Sequence, residues 1–313
     1  MLEYPATETS TTDALDAALH DAGVLAPQAR KMESWPKVDS YPKVDTWPRT
    51  EGGDRTPDFG PYRVVRPLPQ GPMGDRWLAV HNRDFSSHVV HRFAHRLDRA
   101  AQRKFAASVQ PILALRHAHI LAVQGFSFTT LGNPWLVTPF TGNHDGLLTL
   151  SDHIRGKGGR LAAFEVQRAT SQMLHALAYA HGKGVVNGGI KPSQILVDRH
   201  GSLSFELFGL GPALSADATK VDPAAEVRDL GGLAYRMLTG CRPRFTRSGM
   251  LLPPSAIVPR LDRAWDGWLG RAVRGEEPIA SLMPSIPTIE RLPTSRLQAV
   301  RGFVFGGRRT RKA

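Results

Sequence analysis

Near residue 142 the hydrophobic pattern of this 313-residue chain changes its period, and the change fixes the fold class. Before it, YRVVRPL, RWLAVHN and HVVHRF run apolar or alternate over five to seven residues, with Gly, Pro, Asn, Asp or Ser between them. Successive strand side chains point to opposite faces, so short runs of this kind between turn residues predict consecutive antiparallel strands. ILAVQGFSF and PWLVTPF return to that pattern after one helical stretch, residues 97–116, whose Leu97, Ala101, Phe105, Val109 and Ile112 fall on one stripe. Beyond residue 142 apolar residues recur at three and four. In LAAFEVQRATSQMLHALAYAH they are Val166, Ala169, Met173 and Leu177; in EVRDLGGLAYRMLTG, Leu230, Leu233, Met237 and Leu238, with Gly240 as a stop; in LDRAWDGWLGRAV, Trp265 and Trp268. Two short strands, QILVD and LSFEL, joined by RHGS, lie between the first two helices. The expectation is an α+β chain: a β-rich part with one main helix over 59–142, then a mainly helical part over 143–300.

The flanks lack either period. Residues 1–58 hold one helix-like piece, TTDALDAALHDAG, and a six-residue repeat, SWPKVD, SYPKVD, TWPRTE. A proline pushes the residue before it into an extended conformation, so Trp35, Tyr41 and Trp47 are presented at intervals along a chain that cannot form a helix. Residues 301–313 carry Arg301, Arg308, Arg309, Arg311 and Lys312 with no acid. The net charge is +12, which invites a nucleic-acid or anionic-surface reading, but outside the tail the basic residues are scattered rather than striped. One cysteine, Cys241, rules out an internal disulfide. No apolar run approaches the roughly 20 residues that span a bilayer, and the first residues have no apolar signal core, so a cytoplasmic setting is expected. His88, His91 and His95 fall at irregular strand spacing with no acid or cysteine cluster beside them, and no metal site is expected.

Six words occur in a fixed order: PQGPMGDRWLA, LRHAHIL, PWLVTPF, GVVNGGIKPSQILVD, LSFELFGLG and LGGLAYRMLTG. Over residues 59–273 they resemble the eukaryotic-like protein kinase family, bacterial Ser/Thr kinases in particular. The resemblance implies a two-lobed kinase-like fold. In it PQGPMGDRWLA stands as the glycine-rich loop, PWLVTPF as the hinge with Thr138 as gatekeeper, residues 184–198 as the catalytic loop, and LFG as the metal-binding turn.

Set against that family pattern, the departures are chemical. Phosphoryl transfer needs a lysine and a metal to hold the phosphates and a carboxylate to accept a proton. The histidine-arginine-aspartate triplet reads Asn187, Gly188, Gly189; the second metal ligand reads Gln194; the metal aspartate reads Leu207. The phosphate lysine of the third strand reads Arg92, or His91 if the register slips by one, and its glutamate partner falls at Ser108. Pro69 and Pro72 enter the glycine loop and have no N–H to offer a phosphate. Gly71, Gly74, Arg92 and Lys191 remain as a vestigial nucleotide site. Between Gly209 and the next helix, LGPALSADATKVDPAA has 16 residues and no alanine-proline-glutamate terminus.

The resemblance and its departures together predict a pseudokinase, an inactive kinase-like domain that binds another protein, with Trp35, Tyr41 and Trp47 as the docking residues and the tail as an anionic contact. No cofactor is expected, or ATP without magnesium. Two other readings stand beside it. One is an atypical phosphotransferase or nucleotidyltransferase recruiting Lys191, Asp198, Glu206 or Asp229; the other is a basic nucleic-acid or membrane-surface adaptor. His117 and Cys241 read as packing residues.

Overall fold

The computed structural model describes residues 59–71, 73–143, 146–214 and 222–288, which divide into two compact units between Thr141 and Gly142. The N-terminal aromatic repeat, Pro72, residues 215–221 and the basic tail lie outside the described residues.

The first unit is built on five antiparallel strands, β1 (Tyr62–Gly71), β2 (Gly74–His81), β3 (Ser87–Arg92), β4 (Gly125–Phe128) and β5 (Pro134–Pro139), in the order β1-β2-β3-β5-β4. Its two faces bury different things. One carries an aromatic cluster of Phe59, Tyr62, Ala79, Val90, Trp135 and Val137. The other receives α1 (Arg99–Leu113), whose Phe105 meets Phe93, Phe126 and Phe128 edge-on at ring-centroid distances of 5.7 to 6.3 Å. Helix α1 starts at Asp98, whose carboxylate accepts the Ala101 N–H at 2.7 Å. It is shorter than the 97–116 stripe implies, because the cap excludes Leu97 and a proline, Pro111, sits in its last turn.

The second unit opens with α2 (Leu150–Gly156), held by a reciprocal cap in which Thr149 and Asp152 each bond the other's backbone. Next come α3 (Ala163–Gly182), the strand pair β6 (Ile195–Val197) and β7 (Leu203–Phe205), and the short α4 (Leu210–Leu214). Helix α5 (Pro223–Thr239) begins three residues before Glu226, since Asp222 caps it and Pro223 takes the first helical position. It ends where Gly240 turns left-handed at φ 78°. Helices α6 (Ala264–Arg274) and α7 (Ile279–Leu282) complete the unit. Trp265 and Trp268 are fully buried, and the Trp268 indole donates to the Leu282 carbonyl at 3.0 Å. Helices α5 and α6 cross at Gly231, where an added Cβ would sit 2.8 Å from the Ala272 backbone. Among the described residues no helix is long and apolar enough to cross a membrane.

Candidate functional site

In the second unit, residues 183–191 join α3 to a single 3-10 turn (Pro192–Gln194) and are pinned by side chains far away in sequence. Glu226, in the first turn of α5 and fully buried, accepts the Gly188 N–H at 2.6 Å and is 2.8 Å from His181 Nε2. One turn on, Asp229 accepts the Ile190 N–H at 3.1 Å. Asn187 faces the other way: its amide donates to the Gly189 carbonyl at 2.6 Å, and its oxygen accepts the Gly209 N–H at 3.0 Å. A hydrogen bond to a charged acceptor is worth about 1.5–3 kcal/mol, so the two carboxylates alone fix this loop firmly.

The loop has no room for a side chain at Gly188 and little at Gly189. Gly188 sits at φ 80°, and a Cβ there would lie 2.5 Å from Pro212 Cγ and 2.9 Å from Pro212 Cδ. Gly189 sits at φ 125°, where a Cβ would meet the Asp229 carboxylate at 3.2 Å. Lys191 is exposed and forms no salt bridge with a described residue. Gln194 is half-buried; its backbone carbonyl accepts the Glu206 N–H at 2.8 Å.

Strand β7 stops at Phe205, and the chain then turns through Leu207 at φ 53°. Pleat alternation therefore does not govern the relative directions of Glu206 and Leu207, contrary to a strand reading of LSFEL. Both are buried, at 2% and 4% exposure. Asp198 is occupied in the β6–β7 turn, where Oδ1 accepts the His200 and Ser202 N–H groups, both at 2.8 Å. The donor set does not suit a hard cation, which takes oxygen ligands: the turn position offers an apolar side chain and the base position none.

In the first unit, pairing with β5 settles the register that the sequence left between two residues. His91 lies opposite Leu136, itself opposite Phe126 of β4, which touches α1; Arg92 points to the other face and pairs with Asp75 at 2.5 Å. Of the two alternatives, it is His91 that shares the α1 face of the sheet, and Arg92 that does not. This histidine is 4% exposed, bonded to the Thr138 hydroxyl at 3.0 Å, and pushed down to about 3 by burial, reinforced by the neighbouring Arg76 charge. Ser108 lies half-buried on α1.

Arg76, directly opposite His91 on β2, is 5% exposed. Its guanidinium curls back under the β1–β2 turn and donates to the carbonyls of Pro69 at 2.9 Å and Gln70 at 3.3 Å. Gly71 lies so close that an added Cβ would be 3.0 Å from the Arg76 side chain, and at Gly74 one would collide with the Arg92 carbonyl at 2.2 Å. Gly74 is thus required by the close approach of β3, while a methyl group at Gly71 would press on the Arg76 stem.

Arg76, His181 and Glu226 were not read from the sequence as site residues. Arg76 looks like an outward position of an alternating strand, and the His181–Glu226 contact spans 45 residues.

A sequence model of the protein kinase domain matches residues 62–236. The chain is 28% identical over 254 residues to the serine/threonine-protein kinase Pkn1 of Myxococcus xanthus, covering 68% of this chain and 35% of that protein. It is 28% identical over 159 residues to the probable serine/threonine-protein kinase PknB of Bifidobacterium longum, covering 40% and 23%. With PrkC of Bacillus subtilis the identity is 27% over 160 residues, covering 50% and 24%. The chain thus spans about a quarter to a third of the length of these relatives.

Proposed function

Because this chain belongs to the protein kinase family, we propose that it keeps the frame of that family for binding and has given up phosphoryl transfer: it is a pseudokinase that serves as a protein-binding scaffold or regulator in signalling. One observation carries the reading. At Gly188 the loop is not merely short of a side chain but closed against one by Pro212, and at Gly189 a φ of 125° and the Asp229 carboxylate, 3.2 Å from where a Cβ would stand, leave any side chain strained and crowded. A transferring enzyme of this class needs a base there, and a general base typically contributes about 10²–10⁴ in rate.

The rest of the reading follows from the same chemistry. With Leu207 and Gln194 at the ligand positions, magnesium adds nothing to nucleotide binding, and any ATP that binds does so through cations such as Lys191. The partner is another protein, recognised through Trp35, Tyr41 and Trp47, whose following prolines lower the entropy lost on docking. A cytoplasmic setting goes with this role.

The test is incubation of the full chain with labelled ATP and magnesium, beside a Lys191→Ala variant. The expected result is no incorporation above that variant. Incorporation that is lost in Glu206→Gln or Asp198→Asn would overturn the proposal in favour of an atypical transferase. Capture of partner by the full chain, by a variant with Ala at Trp35, Tyr41 and Trp47, and by one with a neutralised tail tests the second part. Loss with the neutralised tail alone would make the repeat a linker.

A further inference from the structure

We infer that the turn at residues 242–252 of the second unit is a wedge that binds the surface of an anionic lipid bilayer. The inference concerns a surface remote in sequence from the loop at 183–191 and stands whether or not that loop is active.

The turn has a defined shape. Leu252 N–H donates to the Arg244 carbonyl at 2.7 Å and Thr246 N–H to the Met250 carbonyl at 2.8 Å, with Phe245 and Leu251 bridged between them. At the tip, Gly249 N–H donates to the Thr246 carbonyl at 3.0 Å, and the Thr246 hydroxyl accepts the Met250 N–H at 3.1 Å. It is therefore a hydrogen-bonded ribbon, not a loose loop. In a two-stranded ribbon alternate residues take opposite faces, which sets Phe245 on one face and Met250 on the other. Both are exposed, at 57% and 68%, so neither face of the tip rests on the body of the unit. All of residues 244–250 are exposed.

The charge is as one-sided as the apolar content is conspicuous. From residue 230 to residue 261 the sequence has five arginines and no aspartate or glutamate. Arg242, Arg244 and Arg247 belong to the turn, are exposed, and form no salt bridge with a described residue. Two apolar side chains at a tip, flanked by guanidinium groups, are what a headgroup layer accepts: the apolar groups enter the acyl boundary while the arginines stay at the phosphates. An acidic protein is the less suitable occupant. A stable protein interface buries about 800 Å² per partner with matched shape, more than the tip of one ribbon supplies, whereas a fluid surface needs no complementary shape.

The experiment is sedimentation of the full chain with vesicles of phosphatidylcholine, with and without phosphatidylserine. Binding is expected only to the vesicles containing phosphatidylserine. Replacing Arg242, Arg244 and Arg247 with Gln should weaken it by about a hundredfold, and Phe245→Ser with Met250→Ser by about tenfold. Changing the tail's Arg301, Arg308, Arg309, Arg311 and Lys312 to Gln should leave most of the binding in place. All these positions in the turn are exposed, so the variants should melt at the parental temperature. Absence of binding overturns the inference, as does binding that is lost with the tail charges alone. So does equal binding to soluble polyglutamate that is indifferent to the Phe245 and Met250 changes, which would make the turn a site for an acidic protein.

Discussion

Gly188→Ala adds one methyl group to the loop at 183–191, and the structure sets what it should cost. At φ 80° the backbone is left-handed, which penalises a residue with a Cβ by about 1–2 kcal/mol. The new carbon would then stand 2.5 and 2.9 Å from two atoms of Pro212, a buried ring that cannot swing aside as a long side chain would. Overpacking of this kind costs about 1–3 kcal/mol, so the total is about 2–5 kcal/mol. For a chain of this size each kcal/mol moves the midpoint by about 2–4 °C, which predicts a fall of roughly 4–20 °C in thermal unfolding. The two parts separate in a double-mutant cycle. Pro212→Ala removes the ring atoms but leaves the backbone strain, so Gly188→Ala in that background should cost only about 1–2 kcal/mol. A Gly188→Ala protein within about 0.5 kcal/mol of the parent, or a cycle without coupling, would refute the argument that the loop is closed against side chains.

Restoring the family's acids by Gly189→Asp and Leu207→Asp should yield no transfer from labelled ATP and a lower melting temperature, because one carboxylate is forced against Asp229 and the other into a site 4% exposed. Transfer above the parent would contradict this. Glu226→Ala leaves the Gly188 N–H and the His181 ring without their acceptor and should cost about 2–5 kcal/mol, read as lost hydrogen-exchange protection at the Gly188 amide. His91 takes up its proton near pH 6.5 when unfolded but only at about 3 when folded, so the unfolded state binds more protons between those values and stability should fall as pH drops through that window. His91→Gln, which can still bond Thr138, should flatten that slope in urea titrations at pH 6 and at pH 4; an unchanged slope would locate the effect elsewhere. ATP should raise the melting temperature no more with magnesium than with chelator, and a clear excess with magnesium would mean that a ligand set other than Leu207 and Gln194 exists.

The fold was legible because its two units speak in different periods. Phe105, Val109 and Ile112 are the buried face of α1, as their spacing required, and Trp265 and Trp268 fill the core beneath α6. The departures from the family pattern were legible too, since Gly189 and Leu207 are read directly from the letters. What replaced it was not. HVVHRF is apolar or polar on both faces, so only the pairing with β5 distinguishes His91 from Arg92. Arg76 has the alternation of an outward residue, and its length, not its position, lets it fold back under the hairpin to Pro69 and Gln70. Glu226 reads as an ordinary acid in the first turn of a helix, and nothing local announces that it is buried against a backbone amide 38 residues earlier.

Leu207 turns the chain at a φ that leucine avoids, and its side chain is 4% exposed. Where a ligated ion holds such a turn, chelator releases it and salt weakens it. Here the anchor is an apolar side chain, and apolar burial carries a positive heat capacity of unfolding and loses strength on cooling. The turn should therefore be indifferent to EDTA and ionic strength and should loosen first in the cold, so that the segment following Gly209 answers to temperature rather than to divalent ions.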